Sequence, residues 1–282
     1  MVTQESNHRA TDAGTADQIQ VGRWDRGLTR HVVDLLRPIV KVYHRSQVRG
    51  LERIPLGRCL LVGNHSGGLT TPDFAVFAVD YYQRFGYEKP LYVLAHDSLF
   101  HGPAAEFLPH LGVIRANPAN AAAALATDTA VLVFPGGDLE VYRPTMVENI
   151  IDFAGHTGYV TSAASARAPI VPVVSIGGQE TQMYLSRGTW LARALHLDKL
   201  ERRLLRTDIL PVSFGFPFGL SVLIPVNMPL PSKIVSEVLE PIDVVGQWGE
   251  DPDVEKVDGR IRRVMQAALD GLARRRRLPI IG

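Results

Sequence analysis

Five short apolar runs, most of them followed by a stretch of helical character, constrain this chain more than any other feature. They are CLLVG (59–63), PLYVLA (90–95), GVIRA (112–116), AVLVFPGG (130–137) and PIVPVVSIGG (169–178). Apolar runs of this length read as buried strands. Helices are predicted over 72–86, around 104–108, over 117–126 and through most of 147–166. The third of these opens on Asn117 as cap with Pro118 in its first turn. Strands and helices alternating at this interval predict an α/β fold with a largely parallel central sheet flanked by helices.

The flanks read differently. Residues 1–22 hold no apolar stretch that would make a secretory signal or an anchor, and are expected to be a disordered tail. Over 23–48, Leu28, Val32, Leu35, Leu36, Ile39 and Val42 recur at roughly helical spacing with basic residues between them. That pattern predicts an amphipathic helix, kinked or restarted near Pro38, that packs on the core or lies in a membrane interface. An Arg-rich helical stretch is expected over 187–206, an edge strand over 233–242, and a final amphipathic helix from about Asp253 to Arg277. The arginines near the C-terminus suit an anionic surface such as membrane headgroups, or a solvated helix end.

Residues 209–232 carry no charged side chain but hold five prolines. A proline inside a helix costs about 3 kcal/mol, so a spanning helix is excluded here and short strands and turns are expected. No other stretch suits a membrane span. With no internal repeat and no low-complexity linker, residues 23–282 are expected to form one domain. The net charge of +1 gives no global field that would argue for nucleic acid, and none is expected as a partner. The single cysteine, Cys59, excludes a disulfide framework and a cysteine-based zinc site. His96, His101 and His110 match no zinc spacing, so no metal is expected. No G-x-G-x-x-G or Walker loop occurs, which argues against a nucleotide cofactor.

In open α/β sheets chemistry gathers at the carboxyl ends of the strands, and three predicted strand ends carry reactive residues. VGNHSGGLTTPD places His65 and Ser66 directly after a strand, with Asp73 further on. GVIRAN puts Arg115 at a second strand end, and LVFPGGDLEVYRP follows a third with Gly136, Gly137, Asp138, Glu140 and Arg143. His65 could supply a base, the Gly136 and Gly137 amides could meet an oxyanion, and Arg115 and Arg143 could hold phosphate. The stretch around Ser66 also approaches the nucleophile turn G-x-S-x-G, with asparagine in place of the first glycine, which leaves a serine hydrolase or lipase open.

The order of these blocks, with APIVPVVSIGG as a fourth, resembles the glycerolipid acyltransferase superfamily: the lysophospholipid acyltransferases and their diacylglycerol acyltransferase-like relatives. The resemblance covers about residues 48–180. It implies a membrane-associated O-acyltransferase of lipid metabolism, peripheral at the cytoplasmic, inner face of a membrane. Such an enzyme moves a fatty acyl group from acyl-CoA or acyl-carrier protein to a hydroxyl of a glycerolipid or lysophospholipid. No cofactor is implied beyond the thioester co-substrate, and the partners are membrane lipids and the acyl carrier. His65 matches the family's catalytic histidine. The family's orienting acid falls five residues later, where this chain has Thr70, and Asp73 at eight residues takes that role if the intervening loop folds back. Arg115, Gly136, Gly137, Glu140 and Arg143 match substrate-binding blocks. A glutamate follows the proline in glycerol-phosphate enzymes; here Gly136 stands there and Glu140 is the matching acid. A lipid-binding protein that keeps the fold without the chemistry is the remaining alternative.

Overall fold

The computed structural model describes residues 19–100, 104–147, 149–194, 209–222, 226–276 and 278. Helix α1 (Arg26–Pro38) starts at Asp25, whose carboxylate accepts the Leu28 N–H at 2.8 Å, and continues as a π-helical turn over Ile39–Tyr43. Strand β1 (Gln47–Arg49) leads to β2 (Cys59–Gly63), α2 (Pro72–Phe85) and β3 (Leu91–Ala95). A short helix α3 (Ala104–Phe107), β4 (Val113–Arg115), α4 (Pro118–Ala126), β5 (Ala130–Val133) and α5 (Gly137–Val141) follow. Next come α6 (Gly158–Ser165) and β6 (Ile170–Ile176), then β7 (Met183–Ser186), α7 (Thr189–Ala194), β8 (Val212–Gly215) and β9 (Gly219–Val222). The chain ends with β10 (Val235–Val238), α8 (Val244–Trp248) and α9 (Val254–Arg275).

The main sheet has seven strands in the order β1-β10-β6-β2-β5-β3-β4, and the five from β6 to β4 run parallel. Their residues alternate between two apolar layers. Leu60, Val62, Val131 and Val174 pack against α4, α6 and α9, whereas Leu61, Leu132, Val171 and Val173 pack against α1 and α2. Both faces are covered, so all five residues of β2 are buried and the strand reads as an unbroken apolar run. The chain leaves β2 across β5 to reach β3, but leaves β5 back across β2 to reach β6. Two neighbouring strands whose connections depart in opposite directions open a crevice at their carboxyl ends. That crevice lies between Gly63 and Val133, where the NHSGG and FPGG segments begin.

Several expectations are corrected. The helical reading of 23–48 ends early, because Gln47–Arg49 pairs with β10 as an edge strand three residues long, too short for periodicity to reveal. The 233–242 strand is therefore interior: β10 lies between β1 and β6, antiparallel to the latter. Its polar residues are satisfied there, Ser236 by Ser175 of β6 and Glu237 by Arg275 at 3.3 Å. Of the helix predicted through most of 147–166, the described residues form Gly158–Ser165. Before it, backbone groups go to side chains of other elements: Gln266 bonds Ile151 N and Asn149 O at 2.9 Å each, and Arg143 bonds Ile150 O. Of the tail, residues 1–18 lie outside the described residues, but Gln20 is buried and bridges Asn120 Oδ1 (2.9 Å) and Arg115 N (2.7 Å). The helix expected over 187–206 is present over Thr189–Ala194, and 195–208 lie outside the described residues. At the basic C-terminus, Arg275 pairs with Glu237 and Arg276 with Glu180, so these two arginines are engaged within the protein.

Leu61 is fully buried at the centre of this sheet. Leu61→Ala should lower unfolding free energy by about 2–5 kcal/mol, measured by urea denaturation; an unchanged midpoint would contradict this account of the core.

Candidate active site

The site grows out of the β2–α2 connection. Asn64 fixes its start: Nδ2 donates to Ser175 O at 2.9 Å and Oδ1 accepts Ser175 N–H at 2.8 Å, which ties the connection to β6. The next residues form a tight 3₁₀ turn, Gly68–Thr70, with positive φ at Gly67, Gly68 and Thr71. At Gly68 (φ +63) a Cβ would meet the Tyr184 hydroxyl at 1.8 Å, so a side chain is excluded by space as well as by φ. Thr71 is β-branched and still adopts φ +37, a strain of about 1–3 kcal/mol. The compact turn delivers Asp73 into the first turn of α2.

Asp73 is almost completely buried, and its carboxylate is well supplied with donors. Oδ2 lies 2.9 Å from His65 Nδ1 and accepts the Ser66 N–H at 2.8 Å, while Oδ1 accepts the Phe74 N–H at 2.9 Å. The extra residues between His65 and Asp73 thus fold so that the acid returns to the ring. A carboxylate at Nδ1 accepts, so Nδ1 carries the hydrogen and the Nε2 lone pair is left to take a proton. Burial alone would lower the His65 pKa; the Asp73 charge and hydrogen bond outweigh it and, with smaller contributions from Glu140 and Asp138, raise it. The ring stacks on Phe134, with centroids 4.3 Å apart and planes 18° from parallel. Phe134 lies over Gly63, where a Cβ would come within 2.7 Å of its ring. Thus β2 ends in glycine to leave room for the aromatic platform supplied by β5.

Glu140 is buried as well and faces inward. Its Oε2 accepts the His65 N–H at 2.9 Å and its Oε1 the Asp152 N–H at 3.3 Å. Burial pushes its pKa up to about 7 despite these donors and Arg143. Glu140, expected among the substrate-binding residues, holds the backbone of the histidine with its carboxylate. Gly136 accommodates it, since a Cβ there would lie 2.3 Å from Glu140 Cγ. The Gly137 N–H is not presented as an oxyanion donor, because it bonds Phe134 O at 3.2 Å. Arg143 is buried, with one nitrogen on Ile150 O and another 3.9 Å from Glu140, and burial lowers its pKa. It lines the same narrow cleft as His65, Asn64, Ser66 and Glu180, a space of about 20 Å³, enough for one water molecule.

Arg115 stands apart from this cluster. It ends β4, three strand spacings or about 14 Å from β2. Its guanidinium bonds Asp97 Oδ1 (3.3 Å) and Phe100 O (3.4 Å) and lies 4.8 Å from the Phe100 ring centroid. Ser66 Oγ is buried and has no hydrogen-bond partner, so no serine–histidine couple is formed. Among the described residues no cluster of three or more His, Cys, Asp and Glu side chains could hold a metal. Sequence reasoning assigned no role to Asn64 or Phe134. The available signals were a two-ended amide directly after a strand and an aromatic closing the neighbouring parallel strand.

Two predictions follow from this geometry. In imidazole NMR, His65 of the wild type should titrate above the ordinary value of 6.5, and Asp73→Asn should move its titration to lower pH; coincident curves would remove Asp73 from the ring. Gly136→Ala, by driving a methyl into Glu140, should destabilise the fold by about 1–3 kcal/mol in urea unfolding, and wild-type stability would contradict the contact.

Comparison with known proteins agrees with this architecture. Residues 45–176 match the family model described as Acyltransferase. The chain is 30% identical over 249 residues to an uncharacterized protein of Mycobacterium tuberculosis, covering 86% of this chain and 66% of the relative. It is 26% identical over 217 residues to the mouse "DGAT1/2-independent enzyme synthesizing storage lipids", covering 77% and 62%. It thus spans somewhat less than two thirds of the length of these relatives. The crystal structure of the 1-acyl-sn-glycerophosphate (LPA) acyltransferase PlsC from Thermotoga maritima shares the fold, with a TM-score of 0.54 at 17% identity over 88% of this chain and 83% of that one. The strand–NH–helix site, the switch-point crevice and the family match identify residues 45–176 as an acyltransferase domain.

Proposed function

We propose that this protein is a membrane-associated O-acyltransferase that moves a fatty acyl group from a water-borne thioester, acyl-CoA or acyl-carrier protein, to a hydroxyl of a glycerolipid or lysophospholipid. The observation that carries the reading is the His65–Asp73 pair at the switch-point crevice of an acyltransferase domain. The acceptor hydroxyl gives its proton to His65 Nε2 as its oxygen attacks the thioester carbonyl carbon. The tetrahedral adduct collapses with cleavage of the carbon–sulfur bond, and the departing thiolate takes the proton back from the imidazolium. Products are the ester and a free thiol, with no acyl-enzyme. Asp73 holds the ring in the required tautomer, Phe134 fixes its plane, and Glu140 and Asn64 hold its backbone. Arg143 is the nearer candidate for neutralising phosphate, after release from Ile150; Arg115 would act only on a distant part of a long substrate. The Gly136 amide is the remaining oxyanion donor of the glycine pair. The reaction itself uses no metal.

The name of the mouse relative refers to storage lipids and that of the Thermotoga structure to LPA acylation. Diacylglycerol, lysophosphatidic acid, other lysophospholipids and fatty alcohols are therefore the acceptors to offer. A donor in water and an acceptor in a bilayer must meet at a surface, which supports a peripheral position at the inner, cytoplasmic face. Among the described residues no helix is long and apolar enough to cross a membrane.

Acyl transfer from radiolabelled long-chain acyl-CoA to that panel tests the reading. His65→Ala should reduce the rate by at least about 10²-fold, while Ser66→Ala retains most of it. Equal loss in both variants, with free fatty acid as product, would instead establish a serine hydrolase. Because the His65 pKa is raised, the ring stays protonated to higher pH and cannot act as a base there. The wild-type rate should therefore climb as pH rises above 6.5; a rate that falls over that range would oppose a base at His65.

A further inference from the structure

The small sheet β7–β8–β9 is turned inside out. A sheet with one face on a core normally places apolar side chains inward and polar ones outward. Here Met183 pairs with Phe214, Phe214 with Leu220, and Val212 with Val222. Met183, Phe214, Leu220 and Val222 are nevertheless exposed, Leu220 by 65%. Ser213 and Ser221 occupy the buried face, where they share a 3.0 Å hydrogen bond, and Asn227 donates to Ser221 Oγ at 3.1 Å. The β8–β9 turn adds Phe216, 74% exposed, and Phe218, and Met228 lies exposed beyond them.

A second element repeats the pattern. Leu35, Ile39 and Val42, at i, i+4 and i+7, form an exposed apolar row along α1 and the π-helical turn, opposite the buried Val33 and Val40. The Tyr43 hydroxyl donates to Pro229 O at 2.6 Å and Arg45 to Pro231 O at 2.7 Å, so this row joins the segment that follows β9. Residues 26–45 carry Arg26, Arg30, Arg37, Lys41 and Arg45; Arg26 pairs with Glu88, Lys41 with Asp80, and Arg30 and Arg37 share Asp34, so the cations still outnumber the acids beside them by two, whereas 209–232 carry no charge.

We propose that the exposed face of β7–β8–β9 and the Leu35–Ile39–Val42 row dock together in the interfacial layer of an anionic phospholipid bilayer, with the Phe216–Phe218 turn reaching deepest. The proposal rests on the reading of a lipid acceptor and identifies the surface that meets it. Hydrocarbon side chains without a specifying donor or acceptor suit lipid tails, and the cations of α1 suit anionic headgroups. A second copy fits less well, because a twofold interface brings the same patch from each subunit together and sets these cations against one another. Insertion is shallow: among the described residues β9 is an edge strand, and peptide groups along a sheet edge need the hydrated headgroup layer. Docking also brings the site to the membrane, since Tyr184 of β7 packs on Tyr142 and against Gly68 of the histidine loop.

The test is co-sedimentation of the full chain with vesicles of phosphatidylcholine and phosphatidylglycerol, combined with acyl transfer to a short-chain, monodisperse acceptor. A Phe216→Ser, Phe218→Ser, Leu220→Ser variant should bind vesicles at least about tenfold more weakly and retain transfer to the short-chain acceptor. Leu35→Ser with Val42→Ser should also weaken binding. Leu56→Ser, exposed on the approach to the amino end of β2, should bind like wild type. Wild-type protein that ignores vesicles while acylating the soluble acceptor would overturn the docking surface and leave the enzymatic reading standing. Binding that depends on the turn, with no transfer to any acceptor, would support docking and overturn the enzymatic reading. Self-association abolished by the triple substitution, without vesicle binding, would give the surface to a second copy and overturn the proposal.

Discussion

The buried carboxylate of Asp73 is the constraint on which the site depends. A carboxylate can be held inside a protein only if donors replace its lost water. Here the His65 ring and the Ser66 and Phe74 backbone N–H groups do so. The same three bonds fix the imidazole tautomer, the course of the chain after β2 and the first turn of α2. Stability and chemistry are therefore not separable at this position. Ring orientation is obtained from bonds the fold needs to keep the carboxylate buried.

Around that centre, the parallel sheet brings together pieces distant in sequence. Phe134 and Glu140 arrive because β5 is the parallel neighbour of β2, and Ser175 because β6 is the other. Each contacts the short stretch Asn64–Ser66 or its platform: one stacks on the ring, one accepts the histidine N–H, one holds Asn64. Glu140, with a pKa pushed up to about 7, adds a second acid whose charge acts on the same ring. The histidine is thus held by its ring, its backbone and the residue before it, the preorganisation a base requires if it is to cost little reorganisation during reaction.

Much of this was legible in the sequence for physical reasons. Strands covered on both faces must be apolar throughout, so β2, β5 and β6 announced themselves, and the reactive residues followed their ends. Asp73 was readable because few acids stand near His65. What failed was non-local. β1 is three residues long and stable only through β10, and β10 carries Ser236 and Glu237, which look like edge residues until Ser175 and Arg275 are placed beside them. Chain segments 147–157 looked helical because local pattern says nothing of Gln266 and Arg143 withdrawing backbone groups. Glu140 and Gly137 stand in the motif as read, but their bonds to the His65 N–H and to Phe134 O depend on packing that no spacing encodes.

In the proposed reaction the acyl group passes directly from thioester to acceptor hydroxyl, with His65 as base, and never rests on the protein. The most direct test is intact-protein mass spectrometry of enzyme quenched during turnover with long-chain acyl-CoA, with and without acceptor. The account predicts an unmodified protein mass at every time point while acylated acceptor accumulates. A transient increase equal to one acyl group, mapped to Ser66, would contradict it.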